Sequence, residues 1–145
     1  MNISLKDVTR DNFEAICDLD VTEEQEEYVA INAYTLAEAA YNTSYVVQAI
    51  YKNDMPVGLF MWVPTEGSKV EIWRFMIDKK YQNHGIGRQA LTLAVQKIAL
   101  DSQIKIIEIC YAPKNIIARN FYLSYGFQEI GMDADNEEML AILTI

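Results

Sequence analysis

Gln82-Asn83-His84-Gly85-Ile86-Gly87-Arg88 follows the strand-like run Val70-Glu71-Ile72-Trp73-Arg74-Phe75-Met76-Ile77 and opens a helical run that lasts to about Leu100. A strand, a glycine-punctuated turn and a helix start together make an anion site. Glycine lets the backbone approach a ligand closely. The N–H groups of a first helical turn have no intrahelical acceptor and point at negative charge. The chain therefore carries a phosphate cradle, and the elements on either side of it decide which phosphate it suits.

Downstream of the turn, Ile86, Ala90, Leu93, Ala94 and Ile98 recur at helical spacing, with Arg88, Gln89, Thr92 and Gln96 on the other face. Upstream, residues 44–51 and 57–63 are β-rich and are joined by a hairpin loop over 52–56. A second turn cluster over 64–68 leads into residues 70–77, so these three runs predict an antiparallel meander. Before the meander, residues 3–8 read as a first strand and Asp11-Asn12-Phe13 opens a helix capped by Thr9 or Asp11. Thr22 and Gln25 fit a capping box, and residues 35–41 form a second helical pattern. After the long helix come a strand over 105–111, a helix from an Asn115 cap to Ser124 closed by Gly126, and a last strand over 139–145. No repeat, linker or composition shift divides the chain, which predicts one domain over residues 1–145.

The composition narrows the partners. Twelve Lys and Arg against 21 Asp and Glu give a formal charge of −9. Nucleic acid needs basic surface, so that partner class is excluded. The acidic balance suits a cationic small molecule, or simply a solvated surface. No run approaches the roughly 18 uninterrupted apolar residues of a membrane span, and residues 1–7 lack the layout of a signal peptide. Cytoplasm is the expected compartment. Cys17 and Cys110 stand apart in apolar contexts and read as buried thiols rather than metal or redox groups. Asp133, Asp135, Glu137 and Glu138 make an acidic run, but an EF-hand needs Gly at its sixth position, where Glu138 stands. An exposed loop is expected there, and no metal site anywhere.

Three kinds of phosphate loop share the outline of residues 82–88. A nucleoside-triphosphate loop ends in Gly-Lys-Ser/Thr, whereas Gly87 is followed by Arg88-Gln89. A dinucleotide fold needs GxGxxG after its first strand. Gly85, Gly87 and Ala90 give a GxGxxA variant, but they follow a fourth strand at the end of hairpins, not a βαβ unit. The third loop is Q-x-x-G-x-G, present as Gln82, Gly85 and Gly87. Downstream stands N-x-x-A-x-x-x-Y-x-x-x-G-F, as Asn115, Ala118, Tyr122, Gly126 and Phe127. With both motifs in this order, the chain resembles the GNAT superfamily of acetyl-CoA-dependent N-acetyltransferases over nearly its whole length. Residues 21–39, and Trp73-Arg74-Phe75-Met76-Ile77-Asp78 before Tyr81-Gln82, resemble bacterial diamine or spermidine acetyltransferases.

The resemblance implies an α/β (mixed α+β) fold, the GNAT fold: a central mixed, mostly antiparallel sheet of six to seven strands flanked by about four helices. It implies that the backbone of Gln82, Asn83, His84, Gly85, Ile86, Gly87 and Arg88 cradles the pyrophosphate of acetyl-CoA. Met76 and Ile77 would offer backbone groups to the acetyl carbonyl and pantetheine arm, and Asn115 would complete the cofactor site. Asn83-His84 departs from the basic or small residues commoner in that loop. No metal is implied, and dimers are frequent in the family.

Acetyl transfer to an amine needs a neutral amine, and an amine with pKa about 10.4 is neutral only about once in 10^3.4 at pH 7. That deficit is roughly 4.6 kcal/mol, part of which a base can offset. By the resemblance Glu71 is the candidate base, with ordered water as the alternative. Simple alternation would place Glu71, Trp73 and Phe75 on one face. Tyr122 is the candidate acid for the departing thiolate, since a phenol and a thiolate have comparable basicity. Tyr125, on the same helical face, reads as core packing with a satisfied hydroxyl. Glu23, Glu24 and Glu27, with Trp73, would wall the acceptor pocket. The four glutamates Glu23, Glu24, Glu26 and Glu27 suit a polyamine or diamine by charge, or Glu23, Glu26 and Glu27 are simply a solvated helix face. The alternatives are another amine (an aminoglycoside, an amino acid, a protein N-terminus) and a non-catalytic acetyl-CoA sensor.

Overall fold

The computed structural model describes residues 2–145. Seven strands form one sheet in the order β1-β2-β3-β4-β5-β7-β6. They are β1 (Ile3–Asp7), β2 (Val46–Lys52), β3 (Met55–Pro64), β4 (Lys69–Ile77), β5 (Ile106–Tyr111), β6 (Gln128–Met132) and β7 (Met139–Thr144). The helices are α1 (Phe13–Cys17), α2 (Asn32–Ala40), α3 (Ile86–Ala99) and α4 (Ile116–Tyr125). The fold class is as expected, mixed and mostly antiparallel: β4 and β5 are the one parallel pair. Two cores sandwich the sheet. On one face Leu91 and Ala94 of α3 and Phe121 of α4 pack with Phe60, Ile72 and Ile107 of the sheet. On the other, Ile16 of α1 and Leu36 of α2 cover Ala49, Leu59 and Met76. Among the described residues no helix is long and apolar enough to cross a membrane.

Local chemistry explains most boundaries. The meander forms as expected, with a tight turn over Asn53-Asp54, where Asn53 takes φ 54°. The Asn115 cap is real: its Oδ1 accepts from Ala118 N–H at 3.3 Å. Gly126 closes α4 with φ 128° and donates back to the Tyr122 and Leu123 carbonyls. The first helix differs from expectation. Its cap is Asn12, not Thr9 or Asp11. The Asn12 side chain accepts from Thr9 N–H at 2.7 Å and donates to Asp7 O at 3.0 Å, so it is used to turn the chain out of β1. Thr22 and Gln25 do form the capping box, but on a single 3-10 turn, Glu23–Gln25. Strand β6 has no counterpart in the sequence reading, because it is a largely exposed edge with no apolar alternation.

Two features of β4 shape the site. First, β4 pairs with β5 only over Lys69, Val70 and Glu71, opposite Ile106, Ile107 and Glu108. Beyond Glu71 the two strands part and leave a wedge. Second, Trp62 pairs with Ile72 while Met61 pairs with Arg74, so Trp73 is an extra residue. A bulge of this kind shifts the pleat by one position. Val70 and Ile72 therefore share the α3/α4 core with Phe75 and Ile77, while Met76 joins the other. The expectation that Glu71, Trp73 and Phe75 share a face is thus corrected: the bulge puts Glu71 and Phe75 on opposite faces.

Candidate active site

The wedge holds two adjoining cavities. The first, of about 350 Å³, runs between the end of β4, the start of α3 and the inner face of α4. Its floor is the 82–88 turn. Asn83 and Gly85 take φ 65° and 80°, conformations that suit Asn and Gly and curl the chain so that successive N–H groups converge. Among the described residues, the N–H groups of Asn83, His84, Gly85, Ile86, Gly87 and Arg88 reach no protein acceptor; the first helical bond is Gln89 N–H to Gly85 O at 3.3 Å. Gly87 lies against aromatic rings: a Cβ there would sit 3.5 Å from Phe121 and 3.7 Å from Phe75. A run of free amides over an aromatic wall fits a pyrophosphate. Arg88 is the one charged side chain lining this cleft. It reaches Ser124 O at 3.4 Å and stacks over Tyr125 at 5.3 Å.

Most of the residues expected to hold the cofactor meet here. Met76, Ile77, Gln82, Asn83, Gly85, Gly87, Arg88 and Asn115 all line the cleft. Two do not. His84 is exposed outside it, and the Ile86 side chain is buried in the core at 1% exposure, leaving only its N–H for a ligand. Gln82 is a fastener: its Nε2 donates to Ile77 O at 2.8 Å and to Gln25 Oε1 at 2.9 Å.

The second cavity, of about 680 Å³, opens between the parted strands. Ile72, Trp73, Arg74 and Phe75 form one side and Cys110, Tyr111 and Ala112 the other. Its carboxylates are Glu26, Glu27, Glu137 and Glu138. Its one cation, Arg74, is paired with Glu38 at 3.2 Å. Trp73 is on the wall as expected, held edge-on to Tyr45 at 5.3 Å. Glu27 is on the wall too, but Glu23 and Glu24 are not; they sit exposed on the 3-10 turn and line neither cavity. Sequence reading missed the opposite bank. The loop is exposed as expected, but Asp133 Oδ1 accepts from Glu137 and Glu138 N–H at 2.8 and 3.2 Å, folding it so that both glutamates reach the pocket. Their acidity was visible in the sequence, but not their meeting with Glu26 and Glu27.

Tyr122 joins the two cavities, lining both. Its ring stacks on Tyr111 (5° between planes, centroids 6.3 Å apart) and meets Phe121 and Phe127 edge-on. Burial pushes its phenol well above the ordinary tyrosine value, with the Cys110 thiol a lesser influence. Tyr125 is packing, as expected, with its hydroxyl 3.0 Å from Thr92 Oγ1. Glu71 stands at the crotch where β4 and β5 part, on the wall of neither cavity. Burial raises its pKa; the adjacent Glu108 carboxylate and a hydrogen bond to it raise it further, while Lys69 and Trp73 pull the other way. Glu108 is buried and paired with Lys69 at 3.3 Å. Cys110 corrects the buried-thiol expectation, since the residue is exposed on the wall of the second cavity. Its sulfur is nevertheless desolvated and faces Glu138, Glu71 and Glu108, which push the thiol up to about 12. A thiol so protonated is a poor nucleophile.

Comparison with known proteins agrees with this geometry. The chain is 32% identical, over an alignment of 148 positions covering 97% of each protein, to the spermine/spermidine N(1)-acetyltransferase of Bacillus subtilis strain 168. Among solved structures it resembles the spermidine N-acetyltransferase of Vibrio cholerae in complex with CoA and spermine, at TM-score 0.78 and 14% identity over 98% of this chain and 95% of that one. It also resembles the PaiA N-acetyltransferase of Thermoplasma acidophilum in complex with coenzyme A, at TM-score 0.76 and 15% identity over the whole of both chains. The sequence model of the acetyltransferase (GNAT) family matches residues 5–127. Fold, cradle and sequence thus agree, and the chain belongs to the GNAT family of acetyltransferases.

Proposed function

We propose that this protein transfers the acetyl group of acetyl-CoA to a primary amine of a polyamine such as spermidine or spermine. The carrying observation is the separation of charge between the two cavities. In a chain of net charge −9, the cleft beside the helix start is lined by a single cation and no carboxylate. The adjoining pocket presents four carboxylates and one already neutralised arginine. The first suits a pyrophosphate. The second suits a small molecule with several ammonium groups. The name of the Bacillus relative supports the choice of amine.

In this reading the amine attacks the thioester directly: a C–N bond forms, the C–S bond breaks, and CoA leaves as the thiol. Tyr122, where the cavities meet, supplies the proton to sulfur and is restored by the second proton, which the attacking nitrogen loses on becoming an amide. Its raised pKa keeps it protonated throughout the neutral range. The transfer stays accessible because the same apolar surroundings also make a thiolate more basic. Glu71 lies outside both cavities, so it takes the proton of the ammonium through water. The raised pKa of Glu71 brings it closer to that of the amine it must deprotonate.

The test is thiol release from acetyl-CoA with a panel of amines. Spermidine and spermine should release thiol far above the rate of hydrolysis. Release with an aminoglycoside or peptide but no polyamine would overturn the substrate, and CoA binding without release by any amine would make the protein a sensor. Glu137→Gln with Glu138→Gln should raise KM for spermidine severalfold, and more so at low salt.

A further inference from the structure

The segment between α1 and α2 walls both cavities, and it is tied down unevenly. Its early part is firm. Asp20 N–H donates to the buried Asp78 at 2.8 Å, and Lys79 N–H donates to Asp20 O at 2.7 Å. Beyond Gln25 the polar ties are few. Within residues 26–30 they are Glu26 N–H to Glu23 O at 3.3 Å, Tyr28 N–H to Gln25 O at 2.9 Å, a side-chain hydrogen bond between neighbouring Tyr28 and Glu27 and an exposed Lys114–Glu27 pair at 3.9 Å, with Val29 alone packed against the core. Yet this loosely held stretch supplies Glu26 and Glu27 to the acidic pocket, and Tyr28 and Val29 to both cavities.

Gln25 is the last firm attachment before it. Its Oε1 accepts from Thr22 N–H at 3.3 Å and from Gln82 Nε2 at 2.9 Å, and its Nε2 donates to Gln82 Oε1 at 3.3 Å. Gln82 in turn donates to Ile77 O at 2.8 Å, at the end of β4. Gln82 also begins the turn of free amides. One hydrogen-bonded chain therefore runs from β4 through the phosphate turn to the wall of the acceptor pocket. The two carboxamides come from positions 57 apart and make a reciprocal pair across it.

We propose that Gln25 is a positioning residue that couples occupancy of the phosphate turn to the shape of the acceptor pocket. A pyrophosphate on the 82–88 amides holds the turn, the turn holds Gln82, and Gln82 through Gln25 fixes residues 26–30. The pocket for the amine is then completed once the donor is in place. Such a coupling is reciprocal: a bound polyamine tightens CoA to the same degree. The proposal rests on the reading of the 82–88 turn as the CoA site.

Amide hydrogen exchange of residues 26–30, with and without CoA, tests it alongside steady-state kinetics. In the unaltered protein CoA should slow that exchange. Gln25→Leu keeps the size and removes every side-chain hydrogen bond. It should abolish the slowing and raise KM for the amine about fivefold, with kcat and the CoA dissociation constant within about twofold. Gln25→Glu keeps both bonds to Oε1 and should retain most of the CoA effect on exchange, which separates loss of the link from loss of packing. Normal CoA binding with no change in the exchange of residues 26–30, or a CoA effect that survives in Gln25→Leu, would overturn this coupling alone. No CoA binding by the unaltered protein would overturn the donor site and the coupling with it.

Discussion

Tyr122 carries the sharpest residue-scale consequence. It touches both cavities and is held by three aromatic neighbours, so Tyr122→Phe should leave the ring stack and CoA affinity almost intact. Turnover should fall by about 10²–10⁴, the usual worth of a positioned acid; an undiminished kcat would remove the phenol from the reaction. Glu71 makes a claim about stability instead. Its carboxyl binds a proton more tightly in the fold than in the unfolded chain, since its pKa is raised from 4.5. Stability from the neutral form is therefore present below about 4.5 and lost as pH rises through the raised value. Glu71→Gln, which stays neutral, should be more stable than the unaltered protein at pH 7 and lose that advantage below pH about 4. Urea unfolding at the two pH values checks this. The identity of Tyr122 was legible in its motif. The isolation of Glu71 from both cavities was not, because it depends on a strand far along the chain.

At the scale of elements, β3 and β4 position the chemistry. Gly58 on β3 lies opposite Ile77, and a Cβ there would come 2.4 Å from Met76 O. A backbone carbonyl in a buried sheet cannot swing aside as a flexible side chain can. Gly58→Ala should cost about 1–3 kcal/mol as overpacking, read as a lower urea midpoint at unchanged slope. It should also weaken CoA binding, since Met76 lines the donor cleft. The long amphipathic α3 announced itself because its burial is one-sided and regular, and the meander did so as β-rich apolar runs, buried on both faces in β2 and β3, set between turn clusters. The bulge at Trp73 and the edge strand β6 did not. A bulge is a disagreement in count between two strands, so neither sequence carries it alone. An edge strand with both faces open has no period to detect.

At the scale of the molecule, function comes from one departure: β4 and β5 pair for three residues and then separate. Parted strands give a wedge, and two oppositely suited cavities fill it. By itself the sequence determined the class of fold, the glycine turn that opens α3, the Asn115-capped helix and the place of Tyr122 on it. Each of these is a local matter: glycine conformations, helix periodicity and end caps are settled within a few residues. Only the tertiary structure decided which glutamates serve the pocket. Glu23 and Glu24 stand a few positions from Glu27 in sequence yet do not line the pocket, while Glu137 and Glu138 arrive from the far end of the chain. Charge acts through space with little regard for sequence distance, so the acidic pocket exists only once β4 and β5 have parted and the two loops have closed over the gap.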